Sequence, residues 1–342
     1  MTVRERALMW RQLALMIGTG VPILAALDAL QRQEALKPIM EPLARAISGG
    51  QRMSVAMRSQ SGVFPLLDRA MIGVGENSGS LVACMDRLAS WLERDAELRQ
   101  NTMKALTYPM FVLGVAFVLV LLLVGLVIPA FRNVLTELNV PLPIPTRLVL
   151  GMSGLLSAGW PVVLAMAALG WGGWVLREYA RTEGGQRQLF RLASSIPLAG
   201  RLLTGAALAR YTDVVGLLLE AGTDLLSTLK LAAEASGNPY LREDAPHIVE
   251  AIRHGATLSD YLREHEDLYT RQLAQLVRSG EESDRMLGFL HVAARTLTLE
   301  TEFLTATLMA LMEPILITIV AAAVGGIVLS VLLPVYGSLR AL

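Results

Sequence analysis

The chain has 342 residues, room for two domains of ordinary size, and its 30 basic and 30 acidic side chains cancel. Hydrophobic residues make up 53% of it and the mean hydropathy is +0.48, too apolar for a typical soluble protein. One cysteine, Cys84, excludes an internal disulfide and any multi-thiolate metal site, and the four histidines (His247, His254, His265, His291) show neither an i,i+4 pair nor HExxH, which argues against zinc.

Residues 1–104 are polar enough to stay in water and read as an all-helical bundle. Arg4, Glu5, Arg6 and Arg11 stand where a signal peptide would be apolar, so none is expected. Leu8, Leu13, Leu15 and Ile17 recur at roughly helical spacing, Gly18-Thr-Gly20 ends that run, and Pro22 restarts the chain at a helix's first turn. Leu81, Met85, Leu88 and Leu92 form a stripe read as bundle core, and Cys84 is expected on the same helix as a small, partly buried apolar residue.

Three stretches then carry no Asp, Glu, Lys or Arg: 105–131, 148–176 and 314–339. Each exceeds the ~20 residues a helix needs to cross ~30 Å of hydrocarbon. The predicted spans are 105–131, 148–176 and 311–336. Residues 132–147, with Pro141-Leu-Pro-Ile-Pro145, make an exposed turn, 177–310 a second helical bundle with the stripe Leu287, Leu290, Ala294 and Leu297, and 337–342 a short tail.

Flanking charge orients the chain. Arg87, Arg94, Arg99, Lys104, Arg177, Arg181, Arg187, Arg191 and Arg295 lie on one side, and only Arg132, Arg147 and Arg340 on the other. The positive-inside rule puts both bundles and the amino terminus in the cytoplasm and the carboxyl terminus outside. Pro109 and Pro314, where each bundle's last helix meets the membrane, are expected to bend or break it. Glu313, at the mouth of the third span, is the one ionisable group near a span interior, so the spans read as anchors and packing elements. Small residues at Ala321-Ala-Ala and Gly325-Gly326 are expected to pack on another span.

The most informative feature is self-similarity at a separation of 205 residues. Phe64 answers to Tyr269, Gly75-Glu76 to Gly280-Glu281, Tyr108-Pro109 to Glu313-Pro314, and Pro129-Ala-Phe131 to Pro334-Val-Tyr336. Upstream the separation is 202, matching Gly20-Val21 with Gly222-Thr223, so about three residues differ between two copies of a bundle-plus-span unit. The middle span stands outside the repeat and returns the chain to the cytoplasm.

The Gly-Glu pairs are weighed as chemistry. A catalytic carboxylate needs a second acid, a base or a metal beside it, and only Glu282 and Asp284 stand near Glu281 in sequence. The leading reading is that each glutamate caps or braces the helix that follows; contact with a partner is the second, metal binding or catalysis the remaining one. Gly75, Glu76, Gly280, Glu281, Pro109, Glu313 and Pro314 are thus the interaction or structural candidates, with no catalytic, cofactor or metal residue assigned. No nucleotide, dinucleotide, kinase or hydrolase motif is present, and basic residues do not cluster with aromatics as nucleic-acid binding would ask. Residues 1–107 carry 13 basic and 10 acidic groups, residues 177–310 carry 14 and 18. Opposite signs favour contact between the bundles, or two distinct faces for partners, within the reach that salt allows.

With these motifs in order, the chain resembles the inner-membrane platform proteins of type II secretion systems and type IV pili, the GspF/PilC family. The resemblance runs over essentially the whole chain, through Gly18-Thr-Gly20-Val-Pro22, Phe64-Pro65, Gly75-Glu-Asn-Ser-Gly79 and Tyr108-Pro109, then Glu220-Ala-Gly222, Gly280-Glu281, Glu313-Pro314 and Leu333-Pro334-Val-Tyr336. It implies an all-α membrane scaffold, not an enzyme, with two six-helix-type cytoplasmic bundles and no cofactor. The implied partners are a hexameric secretion ATPase, pilins or pseudopilins, other inner-membrane assembly proteins, the lipid bilayer and further copies in a homo-oligomer, with no nucleic acid. Two departures matter. Many members carry several dozen residues ahead of the first bundle, so a contact made there is expected to be missing or replaced. The second Gly-Glu is followed by Glu282-Ser-Asp-Arg285 in place of Asn-Ser-Gly. A membrane transport component would instead predict polar residues lining the spans. A membrane-anchored signalling scaffold would predict regulators as partners.

Overall fold

The computed structural model describes residues 1–122, 170–172, 175, 178–179, 182–195 and 197–339, and every regular element among them is helical. The start of α1 (Val3–Gly18) is closed by a capping box: the Thr2 hydroxyl accepts from the Glu5 N–H at 3.2 Å, and the Glu5 carboxylate accepts from the Thr2 N–H at 2.8 Å. Gly20, at φ +92°, ends the segment as the glycine-rich stop predicts, and Pro22 directly precedes α2 (Ile23–Gln31). Then follow α3 (Lys37–Ser48), the short α4 (Met53–Ala56), α5 (Leu66–Ser78) and the long α6 (Leu81–Leu122).

The second half opens with α7 (Glu183–Ser194) and α8 (Pro197–Glu220), and continues through α9 (Leu225–Ser236), α10 (Pro239–Arg253), α11 (Leu258–Glu264), α12 (Arg271–Glu282) and α13 (Met286–Leu339). The starts of α9 and α10 lie 202 residues after those of α2 and α3, and the starts of α11, α12 and α13 lie 205 after those of α4, α5 and α6. The change falls inside α10, which has 15 residues where α3 has 12. Left-handed glycines recur at the same places: Gly20 and Gly222 (φ +92° and +91°), Gly50 and Gly255 (+87° and +94°). Only glycine adopts this backbone without a Cβ penalty. Gly79 ends α5 at φ +69°, and its counterpart is Asp284 at +54°, the single non-glycine in that region among the described residues.

The chain divides into two compact units. One joins Met1–Asn101 with Arg187–Thr305; the other holds Thr102–Gln186 and Ala306–Leu342. In the first unit a single apolar core runs through both halves, from Trp10, Leu13, Leu27, Met40 and Leu88 to Val214, Leu229, Ile248 and Leu290. Met85, Leu88 and Leu92 are buried as their stripe predicts, and Cys84 is fully buried beside them. In α13 the counterpart of Leu81 is Met286, while Leu287 turns outward. The predicted stripe of α1 requires a larger correction. Its core face is Ala7, Trp10, Leu13 and Ala14; Leu8 and Leu15 are 50% and 60% exposed. Spacings of five and two residues do not return to one side of a helix with 3.6 residues per turn.

Two described helical stretches are long and apolar enough to cross a membrane. Gly200–Glu220 has 56% of its most apolar window buried inside the protein, which identifies it as a core helix of the second half. Met286–Gly326 has only 6% of its window buried, and it leads into the predicted third span. The described part of the predicted first span includes the apolar stretch Phe111–Val120, while most of the predicted second span, 148–176, lies outside the described residues. α6 runs unbroken through Pro109 and α13 through Pro314, so the expected break is absent at both. Proline removes one N–H rung, and the remaining hydrogen bonds of helices 42 and 54 residues long carry the element past it.

Candidate functional site

The Gly-Glu pairs lie near the ends of α5 and α12 and make the same connection twice. Glu76 reaches back across the bundle to α4, accepting from the backbone N–H of Met53 at 2.5 Å and of Ser54 at 3.3 Å, and from the Ser54 hydroxyl. Glu281 accepts from Leu258 N–H at 2.9 Å and Ser259 N–H at 3.4 Å, the first two residues of α11. A helix start leaves unpaired N–H donors, and a carboxylate there satisfies them and complements the helix dipole. The helix that each glutamate caps is therefore the one 22 to 23 residues upstream, not the one that follows. Arg52 supplies no side-chain cap to α4, whereas α11 has its own in Thr257, whose hydroxyl accepts from Asp260 N–H at 3.1 Å.

The glycine beside each glutamate serves the other neighbour. A Cβ built on Gly75 would lie 2.8 Å from Leu81 Cα and 3.1 Å from Cys84 Cβ; one on Gly280 would lie 3.1 Å from Met286 Cα and 3.3 Å from Phe289 Cβ. The two-residue motif thus lets the next helix approach and closes the previous one. Glu282 does not join Glu281: it accepts from Arg278 Nε at 2.8 Å on the exposed side. Among the described residues no group of three or more His, Cys, Asp or Glu is placed to hold a metal ion. Glu313 is exposed on α13.

Two of the buried carboxylates, Asp68 and Asp244, complete the polar framework, and sequence reading did not single out either. In the first half Asp68, fully buried on α5, accepts from the Trp10 indole N–H at 3.0 Å and lies 3.3 Å from Arg6 Nε. Burial pushes its carboxyl above the usual range, against the pull of Arg6 and of the indole N–H. In the second half Asp244 on α10 accepts from the hydroxyls of Tyr261 and Tyr269, each at 2.7 Å. Burial foremost pushes the Tyr269 hydroxyl far above the usual range for a phenol, so it stays a donor. The one signal in sequence is an aspartate within an apolar periodic run, Leu66-Leu-Asp68; its partner 58 residues away is legible only in three dimensions.

The two halves meet along α5 and α6 of the first and α8 and α9 of the second. Arg87 donates to the Glu220 carbonyl at 2.9 Å and pairs with its carboxylate at 3.1 Å, satisfying an end carbonyl of α8. Arg94 stands 3.8 Å from Asp213. Burial raises the Asp213 carboxyl, opposed by Arg94, His291 and the Trp91 indole. The halves are thus in contact through specific pairs, one of the two outcomes that the opposite bundle charges allow. Within the first half, Arg11 bonds Glu93 at 2.7 Å, Ser90 at 2.8 Å and Asp86, and it holds the Glu93 carboxyl below its usual range.

Both Gly-Glu carboxylates are thus committed to a helix end. Comparison with known proteins shows the family. The family model described as Type II secretion system (T2SS), protein F matches twice, over residues 9–129 and 211–334. The type IV pilus assembly protein PilC of Thermus thermophilus is 33% identical over 98% of this chain and 82% of its own length. The type II secretion system protein F of Pseudomonas aeruginosa is 29% identical over 98% and 83%, and that of Xanthomonas campestris 31% over 95% and 80%. With both halves matched and relatives aligned over nearly all of this chain, the chain belongs to the type II secretion protein F family, which includes the PilC proteins of type IV pilus assembly.

Proposed function

We propose that this chain is an inner-membrane assembly platform that couples a cytoplasmic, hexameric secretion ATPase to the insertion of pilin or pseudopilin subunits. The double family match, in a chain whose relatives bear the names of pilus assembly and secretion proteins, carries this reading. The sequence has no nucleotide-binding motif, so the energy comes from a partner and the chain acts as a scaffold.

The same reading sets the organisation. A duplicated unit places bundles 1–104 and 177–310 in the cytoplasm, with spans at 105–131, 148–176 and 311–336 and residues 132–147 and 337–342 in the periplasm. The recurrence of helix starts and left-handed glycines at 202 and 205 residues supports the duplication, and the flanking arginines support the orientation. Gly75, Glu76, Gly280 and Glu281 hold the bundles in the shape that partners meet, and Pro109, Glu313 and Pro314 mark where the bundle helices enter the bilayer.

The test is a pull-down from membranes in mild detergent, with the tag on the first bundle. Recovery of a secretion-type ATPase together with pilin-like subunits is the expected result. Recovery of a solute-binding protein or a kinase in their place overturns the reading.

A further inference from the structure

The contact between the two halves is head-to-tail: the α5/α6 face of the first meets the α8/α9 face of the second. Because the halves share one frame, each of these faces exists a second time. The counterpart of α8/α9 is α1/α2, and the counterpart of α5/α6 is α12/α13. Burial separates the used faces from their counterparts. Ala207, Val214 and Leu217 on α8 are buried, while Glu5, Gln12 and Leu15 at the same positions of α1 are exposed. Leu67 and Trp91 are buried, while Gln272 is exposed and Thr296 half-buried.

Beside these polar residues the spare faces carry exposed apolar ones. Where Arg87 and Arg94 grip Glu220 and Asp213, α13 carries Val292 and Leu299, each 53% exposed. Where α8 carries Arg210 and Leu217, α1 carries Leu8 and Leu15, and Leu24 on α2 is exposed beside them. Both spare faces thus place exposed apolar side chains at the register of an existing interface.

We propose that these faces bind each other between copies of this chain, α1/α2 of one copy seating on α12/α13 of the next. The contact repeats between chains the arrangement that α8/α9 makes with α5/α6 within one. Three observations select a second copy as the occupant. The geometry already exists inside the chain. The charge balance of 13 basic to 10 acidic groups in 1–107 meets 14 to 18 in 177–310. The positions that carry the internal ion pairs become apolar on α13, with Val292 at the register of Gly18, one turn from Leu15, and Leu299 at that of Arg11, one turn from Leu8. Apolar burial replaces screened charge as the driving force. Such an interface is heterologous, so copies add in one direction and form a ring if the rotation closes.

Cysteine cross-linking tests this in native membranes, using the full chain with the buried Cys84 replaced by alanine. Leu15→Cys and Val292→Cys are made singly and together and treated with a short bis-maleimide. The expected pattern is a ladder of dimer and higher species from the double variant. A dimer should form when the two single variants are co-expressed, and none from either single variant alone. Adding Leu299→Glu to the double variant should abolish the ladder while membrane content stays equal. A dimer from a single variant alone as strong as from the co-expressed pair means a two-fold contact and overturns the proposal, as does a double variant that stays monomeric.

Discussion

The two bundles share a backbone plan but place their buried charge differently. In the first, Trp10 fills the core and its indole N–H is met by Asp68; the corresponding residues of the second are Thr212 and Leu273, which line a small apolar void. In the second, Asp244 is held by Tyr261 and Tyr269; the positions of the first that correspond to the two tyrosines are Ala56 and Phe64, neither of which can donate a side-chain hydrogen bond. A buried carboxylate is tolerated when hydrogen bonds or a nearby cation compensate it, and these two are compensated at unrelated places, Asp68 by the Trp10 indole and Arg6, Asp244 by two tyrosine hydroxyls. The elements that do recur are the left-handed glycines, the close-approach glycine and the capping glutamate. The frame is therefore specified by backbone demands, while the buried polar contacts are free to move.

The sharpest way to break this comparison is in the core. Trp10→Ala removes a fully buried indole and its bond to Asp68 and should cost about 3–5 kcal/mol. Thr212→Ala, at the same position of the second bundle, should cost under about 1.5 kcal/mol, the scale of one neutral hydrogen bond. Denaturation midpoints of the full chain in mild detergent check the difference, and equal losses would mean that Thr212 matters to its core as much as Trp10 does to the other. Next is the close approach. Gly75→Ala drives a Cβ against backbone at 2.8 Å and should cost about 1–3 kcal/mol. Gly280→Ala, at 3.1 Å and beside the flexible Met286 side chain, belongs at the lower end of that range.

The capping glutamates sharpen the comparison further. Glu76→Ala should lower stability by about 0.5–2 kcal/mol, and Glu281→Ala by less, because α11 keeps the Thr257 cap while α4 has none of its own. Hydrogen exchange at Met53 and Ser54, against Leu258 and Ser259, reads the effect locally. The smallest change is a gain. Asp284→Gly relieves the one non-glycine left-handed residue among the described residues and should stabilise by up to about 1 kcal/mol, measured as a raised midpoint; Gly79→Asp should lose a similar amount.

Sequence by itself determined the helical class, the charge-free runs, the 202 and 205 spacings and the importance of Gly75-Glu76 and Gly280-Glu281. These are local or periodic properties, set by residue type and spacing along one dimension. Tertiary structure decided which way each glutamate reaches. A carboxylate at a helix's end can serve any donor within its radius, and the free N–H groups of α4 and α11 come into that radius only once the bundle closes. It also decided that Leu8 and Leu15 face outward while Trp10 and Asp68 meet inside. Burial is a property of what packs against a helix, and a stripe of leucines does not name its neighbour.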